Sequence, residues 1–254
     1  MPERTPLTAV IITQHEPFVV PLLLEELLTH KRDRIAAIFV AEDPQAEGLA
    51  ATIGRWASVF DPLTFVRYGM RYIGAKLSGA GPAKVAREYE VPEEEIADIN
   101  APEFLERLRA MGVDLVISVS CPQIFRKKLL ALPQLGCVNV HAGPLPRYRG
   151  MLPTFWVLYE REAETAVTVH FMNEMLDDGP IILQEPVPIL PGETQANLMR
   201  RCKIVGAHLL SQAIDLLEMG EVRTRANPSE KATYHSFPTP AQAREFRAAG
   251  GKWL

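Results

Sequence analysis

The sequence predicts an α/β fold with a mostly parallel central sheet and helices on both faces. Three observations carry this expectation. The chain opens with an apolar run at Leu7–Ile12, a helix-forming stretch from about Pro17 to His30, and a second apolar run at Ile35–Val40. A strand that returns through a helix to another strand makes a parallel pair. Two further short apolar runs, Leu115–Val119 and Cys137–His141, complete a central sheet. The best helix runs from Thr194 to Gly220, with Leu198, Cys202, Val205, Leu209, Leu210, Ala213, Leu216 and Leu217 at helical spacing. Thr194 is a natural N-cap and Gly220 a natural stop.

The remaining elements follow in order. Pro44 to Gly54 reads as a loop passing into a helix. Trp56 to Tyr89 is helical in pattern but interrupted by Pro62, Gly69, Gly74 and Gly79-Ala80-Gly81-Pro82. Gly79-x-Gly81 has Lys84 in place of a third glycine and no strand before it, so it is no dinucleotide fingerprint. Gly74 to Gly79 is spaced like a phosphate loop, but Ala80 stands where lysine is required. A short strand is expected near Ile96 and a helix over Pro102–Met111. Ala166–Met172 and Ile181–Val187 are β-rich runs, either a hairpin or two neighbouring strands joined by an ordered loop. After Gly220 the chain is polar, ending in a short helix over Pro240–Arg247. The expected organisation is one domain over residues 1–220 and a carboxyl-terminal extension over 221–254.

Composition bounds the function. With 254 residues and 47% hydrophobic content, the chain suits an ordinary globular domain. No apolar run is long enough to span a bilayer, so no membrane association is expected. Met1-Pro-Glu-Arg-Thr-Pro leads straight into a strand and is read as no signal peptide. Three cysteines, Cys121, Cys137 and Cys202, lack paired metal spacing and fit a reducing, cytoplasmic setting. A net charge of −4 gives no general attraction for nucleic acid.

The chemistry concentrates between Cys137 and Ile189. In a strand of period two, Cys137, Asn139 and His141 share one face and Val138 and Val140 the other. Asn139 and His141 are then roughly 6–7 Å apart along the chain, at the end of a strand where parallel sheets bind ligands. Asp177-Asp178-Gly179-Pro180 follows the next β-rich run; by itself it is ordinary turn chemistry. Together the two segments bring an amide, an imidazole and a carboxylate without metal-ligand spacing. Such a trio suits acyl transfer to an amine, where an oxyanion must be held and a proton moved. His170 reads as a satisfied core histidine.

These residues carry a family likeness. Asn139-Val140-His141, Leu145-Pro146-Arg147-Tyr148-Arg149-Gly150, and Val169-His170 through Glu174 to Asp177-Asp178-Gly179-Pro180 resemble the pattern of the folate-dependent formyltransferases. Phe18-Val19-Val20-Pro21 and Leu135-Gly136-Cys137 resemble its tRNA- and sugar-formylating branches. The likeness runs from about Thr8 to Glu218 and is weakest between Ala41 and Asn100.

The resemblance implies a Rossmann-like formyltransferase fold with a short carboxyl-terminal tail, and 10-formyltetrahydrofolate as co-substrate with no metal. Asn139, His141 and Asp177 would be catalytic: Asn139 and His141 would hold the oxyanion, while Asp177 orients His141. The loop Ser120-Cys121-Pro122-Gln123-Ile124 would grip the pteridine, although relatives often place glycine at the position of Pro122. Glu174, Met175 and Leu176 would close the other side. Arg147, Tyr148 and Arg149 are local basic-aromatic residues suited to a phosphorylated acceptor. Arg67-Tyr68 and Arg71-Tyr72 could do the same or form a solvated helix face.

The expected function is formyl transfer to a primary amine, with a nucleotide-linked amino sugar first among acceptors. The alternatives are glycinamide ribonucleotide, methionyl-tRNA, hydrolysis of the formyl donor, and a non-catalytic folate-binding module. Ile12-Thr13-Gln14-His15-Glu16-Pro17 lacks the glycine-rich phosphate loop usual in the purine branch. The chain reads as lacking the carboxyl-terminal β-barrel of the tRNA branch, so nucleic acid is not an expected partner. The apolar β-pair and the tail offer surfaces for a homodimer.

Overall fold

A computed structural model describes residues 6–44, 46 and 48–254. The reading of the amino terminus as no signal peptide falls on residues 1–5, outside the described residues, as do positions 45 and 47 of the expected 44–54 loop. In chain order the elements are β1 (Ala9–Thr13), α1 (Val20–Lys31), β2 (Ile35–Ala41), α2 (Leu49–Val59), α3 (Pro62–Leu77), α4 (Pro82–Glu88), β3 (Glu93–Ile96), α5 (Pro102–Ala110) and β4 (Leu115–Ser118). They continue with α6 (Lys127–Leu130), β5 (Cys137–His141), β6 (Arg149–Gly150), α7 (Pro153–Tyr159), β7 (Glu164–Phe171), β8 (Ile181–Pro188), α8 (Gln195–Met219), β9 (Tyr234–His235) and α9 (Pro240–Ala248).

Among the described residues, seven strands form one sheet in the order β3-β2-β1-β4-β5-β7-β8. The first five run parallel; β7 is antiparallel to β5, and β8 to β7. Alternate residues of each strand face opposite layers. Ile11, Val138 and Val140 pack with Leu23, Leu27 and Leu210 of α1 and α8. Val10, Ile12 and Cys137 pack with Phe104, Leu105 and Leu108 of α5. A central strand buried on both faces reads as an unbroken apolar run, which is why β1 and β4 are legible from sequence.

The long helix α8 ends where expected. The Thr194 hydroxyl accepts from the Asn197 amide, and Gly220 closes the helix in a left-handed conformation at φ 69°. The strand expected near Ile96 begins at Glu93, three glutamates earlier than its apolar end. It is an edge strand, where charged side chains remain in water and discourage further pairing. The irregular 56–89 stretch resolves into the end of α2, with α3 and α4.

The carboxyl-terminal extension is woven into the same body. β9 pairs with β6, and Arg225 bridges to Ile181. The carbonyls of Lys252 and Trp253 accept from the amides of Gln195 and Ala196 at 2.8 and 2.9 Å, satisfying donors that a helix start leaves unpaired. Trp253 is buried and stacks on Phe155, with centroids 4.8 Å apart and planes at 13°. Replacing Trp253 with alanine should therefore cost about 3–5 kcal/mol, read as a lowered urea midpoint with an unchanged slope.

Candidate active site

β5 turns Asn139 and His141 toward the α5 side of the sheet, as Cys137 on the same strand face shows. The connection 172–180 leaves β7 and folds back over this face. Gly179 permits the fold: a Cβ there would lie 1.9 Å from the Phe171 carbonyl oxygen. Asp177 adopts a left-handed φ of 50°. The buried Asn227 amide holds the turn by donating to the carbonyls of Asp177 at 2.9 Å and Gly179 at 3.0 Å.

The Asp177 carboxylate thereby becomes a buried hub. Oδ2 accepts from the Gly150 amide at 2.8 Å and lies 3.6 Å from His141 Nδ1. Oδ1 accepts from Asn139 Nδ2 at 3.5 Å and lies 3.7 Å from His170 Nε2. Asn139 Nδ2 also lies 3.2 Å from His170 Nε2. The outer nitrogens of both rings point at carbonyls: His141 Nε2 donates to Tyr148 O at 2.8 Å, and His170 Nδ1 to Phe171 O at 2.7 Å. Burial is the largest single influence on Asp177 and pushes its carboxyl up. It is outweighed by the His141 and His170 rings beside the carboxylate and by the Gly150 amide, which hold the carboxyl well below the usual carboxylate range.

The structure thus brings Asn139, His141 and Asp177 together. It adds His170, which is buried and satisfied as a core histidine would be, yet touches the same constellation. The β5–β7 register sets Asn139 directly opposite His170.

Tyr148 and Arg149 correct an expectation. Tyr148 is buried, with its hydroxyl on Glu160 and Glu162 and its ring stacked on His235. Arg149 is fully buried: its Nη1 donates to Asp178 at 2.6 Å and Tyr234 at 2.9 Å, and its Nη2 to Asn227. Arg147 pairs with Glu162 at 2.7 Å. Tyr148 and Arg149 bind the loop to the tail, and Arg147 binds it to the connection before β7, so a substrate phosphate finds no free guanidinium at Arg149. Asp178, to which no role was assigned, is the acid that neutralises Arg149.

The loop after β4 lies at the carboxyl edge of the parallel strands. Gln123 is a strut within it: Nε2 donates to the carbonyls of Glu42 and Ala97, and Oε1 accepts from the Ile99 amide. Ser120 has a φ of 54° and accepts from the buried Lys203 ammonium at 2.6 Å. Burial pushes that ammonium's pKa down. Cys121 packs on the α5-side cluster, as does Met172 at the start of the other loop, so both loops border the same side of the sheet. Pro122 is half-buried between them in sequence, while Ile124 is 75% exposed. Glu174 is exposed, and Met175 and Leu176 are 63% and 58% exposed. Apolar side chains left in water at these loop positions suit the planar face of a ligand.

Burial pushes the Cys121 thiol up to about 11 and those of Cys137 and Cys202 up to about 12, so none offers a thiolate at neutral pH. A separate cavity of about 90 Å³ is lined by Phe18, Trp56, Tyr68 and Arg71 and holds none of the trio. At its edge Glu16 caps α1, its carboxylate accepting from the amides of Phe18, Val19 and Val20 at 2.9, 2.7 and 2.9 Å.

A lowered native pKa at Asp177 fixes the sign of a pH effect. Its contribution to stability is complete above the ordinary carboxylate pKa of about 4 and fades as pH falls from there toward the native value. The stability gap between wild type and Asp177→Asn, measured by urea unfolding, should be largest near neutrality and shrink below that range.

Comparisons with known proteins identify the family. A family model described as formyl transferase matches residues 73–214, more than half of the chain. The methionyl-tRNA formyltransferase of Trichlorobacter lovleyi is 37% identical over 161 residues, which are 63% of this chain and 51% of that protein. The chain spans about half the length of the curated relatives it matches. Glycinamide ribonucleotide transformylase 1 from Symbiobacterium toebii shares the fold at a TM-score of 0.62 and 22% identity, over 88% of this chain and 95% of that one. A sugar N-formyltransferase from a Shewanella species does so at 0.60 and 18%, over 95% and 87%. At these identities the two structures speak for the fold alone. With its seven-stranded, mostly parallel sheet and the matched segment spanning β5, β7 and β8, the chain belongs to the formyl transferase family.

Proposed function

We propose that this chain transfers a formyl group from 10-formyltetrahydrofolate to a primary amine, using Asn139, His141 and Asp177. The observation that carries the reading is the buried Asp177 carboxylate, bracketed by His141, His170, Asn139 and the Gly150 amide. The folate donor fits the surroundings: the 120–124 loop and the 174–176 segment border one side of the sheet and leave Ile124, Met175 and Leu176 exposed.

The donor supplies an activated formyl carbon, whose bond to N10 breaks as the carbon–nitrogen bond to the amine forms. Asn139 and His141 stabilise the charge that develops on the formyl oxygen, His141 by exchanging the Tyr148 carbonyl that its Nε2 holds in this structure for that oxygen. The longest contact of Asn139, 3.5 Å to Asp177, is the one whose hydrogen is freed most readily for that oxygen. A carboxylate held far below its usual range is a weak base. Asp177 therefore orients His141 and balances positive charge on the imidazole and the attacking nitrogen, while the proton leaves through water toward N10.

For the acceptor, the names of the sequence relatives favour methionyl-tRNA over the amino sugar expected from sequence. The expectation against nucleic acid rested on a carboxyl-terminal barrel read as absent and on net charge; the first draws on where the sequence ends, and the second is a whole-chain sum that says nothing of a local surface. Glu16 fills the start of α1 with a carboxylate, which disfavours a phosphate bound there and with it glycinamide ribonucleotide.

Incubation with 10-formyltetrahydrofolate and a panel of methionyl-tRNA, amino-sugar nucleotides and glycinamide ribonucleotide should release tetrahydrofolate and formylate one amine. Release without a formylated product would instead identify a hydrolase. His141→Ala should lower turnover on the order of 100–1,000-fold while folate affinity, measured by calorimetry, stays within a few-fold. A variant with unimpaired turnover would remove His141 from the reaction.

A further inference from the structure

The helix α3 has two apolar faces, and only one of them packs on the protein. Phe65 and Tyr68 face inward, where Tyr68 stacks on Trp56 with centroids 5.4 Å apart and meets Phe18 edge-on. On the outer side Leu63, Val66, Met70, Ile73 and Leu77 follow a 3-4-3-4 spacing, which puts them in one line about 21 Å long at 1.5 Å per residue. All five are between 54% and 84% exposed. Cations border this line on both edges: Arg67 and Arg71 on one, Lys76 on the other. No acidic residue lies within Pro62–Leu77.

The charge is local. From Gly48 to Lys84 there are five cations (Arg55, Arg67, Arg71, Lys76, Lys84) and a single anion, Asp61, in a chain whose net charge is −4. Asp61 is occupied in capping α3 through the Thr64 amide and hydroxyl. The outer face therefore combines a solvent-facing aliphatic strip with a basic border, the make-up of a helix that lies in the interface of an anionic bilayer. A second copy of the chain is a poorer occupant. A two-fold pairing sets cation against cation: antiparallel helices bring Arg67 and Arg71 against Arg67 and Arg71, and parallel ones bring them against Lys76. The strip also carries no aromatic or hydrogen-bonding side chain of the kind that anchors a specific protein partner.

We propose that α3 docks the protein on an anionic lipid surface, with its aliphatic strip in the headgroup–acyl boundary and Arg67 and Lys76 on the lipid charges. The expectation of no membrane association rested on the absence of a spanning run, and no helix of the described residues is long and apolar enough to cross a membrane. A helix lying on the surface needs no such length. The proposal is independent of the acceptor.

Co-sedimentation with extruded vesicles tests it, using phosphatidylcholine with and without phosphatidylglycerol. Wild type should bind only the mixed vesicles. Met70→Glu with Ile73→Glu should weaken binding at least about tenfold, and Arg67→Glu with Lys76→Glu about fivefold for each cation reversed. Circular dichroism checks that each pair folds, and the charge pair alters only exposed side chains. Absence of binding to the mixed vesicles would overturn the proposal. So would binding that survives Met70→Glu with Ile73→Glu, which would mark adsorption by charge alone, including a nucleic-acid surface. A concentration-dependent dimer dissolved by the same substitutions would assign the strip to a second copy instead.

Discussion

The structure turns on one buried, ionised carboxylate. Taking an isolated carboxylate out of water is among the most unfavourable steps in folding, so Asp177 can remain charged only if its surroundings supply donors and positive charge. One amide side chain and one backbone N–H donate to it, and two imidazoles lie 3.6 and 3.7 Å away. Each of these groups places a demand on the chain. Gly150 must bring its N–H close while β6 pairs with β9, and a Cβ there would meet the His235 carbonyl oxygen at 2.2 Å. Glycine is the residue that meets both conditions, at a φ of 95°.

A second layer holds that hub in place. Arg149, fully buried, links Asp178, Tyr234 and Asn227, and Asn227 in turn holds the carbonyls on either side of the Asp177 turn. Three segments distant in sequence thus meet at one cation, and the carboxyl-terminal tail is part of the site's frame. Removing one member of such a network strands its partners, which costs more than the bond itself. Thr168 and Gln184 support the other side by gripping the 143–145 turn, with Thr168 donating to Gly143 O at 2.7 Å and Gln184 to Leu145 O at 3.0 Å.

How much of this was legible in the sequence depends on the range over which each contact forms. Asn139 and His141 sharing a strand face follows from a period of two within five residues, and Thr194 and Gly220 bound α8 by local capping chemistry. His170 was read as core because its place in the site depends on the β5–β7 register, which nothing local fixes. Arg147-Tyr148-Arg149 looked like a substrate grip because composition reports residue type and not burial; Asp178, almost thirty residues on, decides Arg149's partner. Asn227 sits in a polar tail where one asparagine carries no signal. The acidic run at Glu93–Glu95 concealed an edge strand, since alternation fails where both faces of a strand meet solvent.

Formyl transfer by Asn139, His141 and Asp177 requires the folate to sit between the 120–124 loop and the 174–176 segment. The deciding measurement is a crystal structure with a stable formyl-folate analogue. The pteridine should lie against the 120–124 backbone, with the formyl group within hydrogen-bond reach of Asn139 and His141, roughly 3 Å. A folate seated instead in the cavity of Trp56, Tyr68 and Arg71, with the trio untouched, would contradict it.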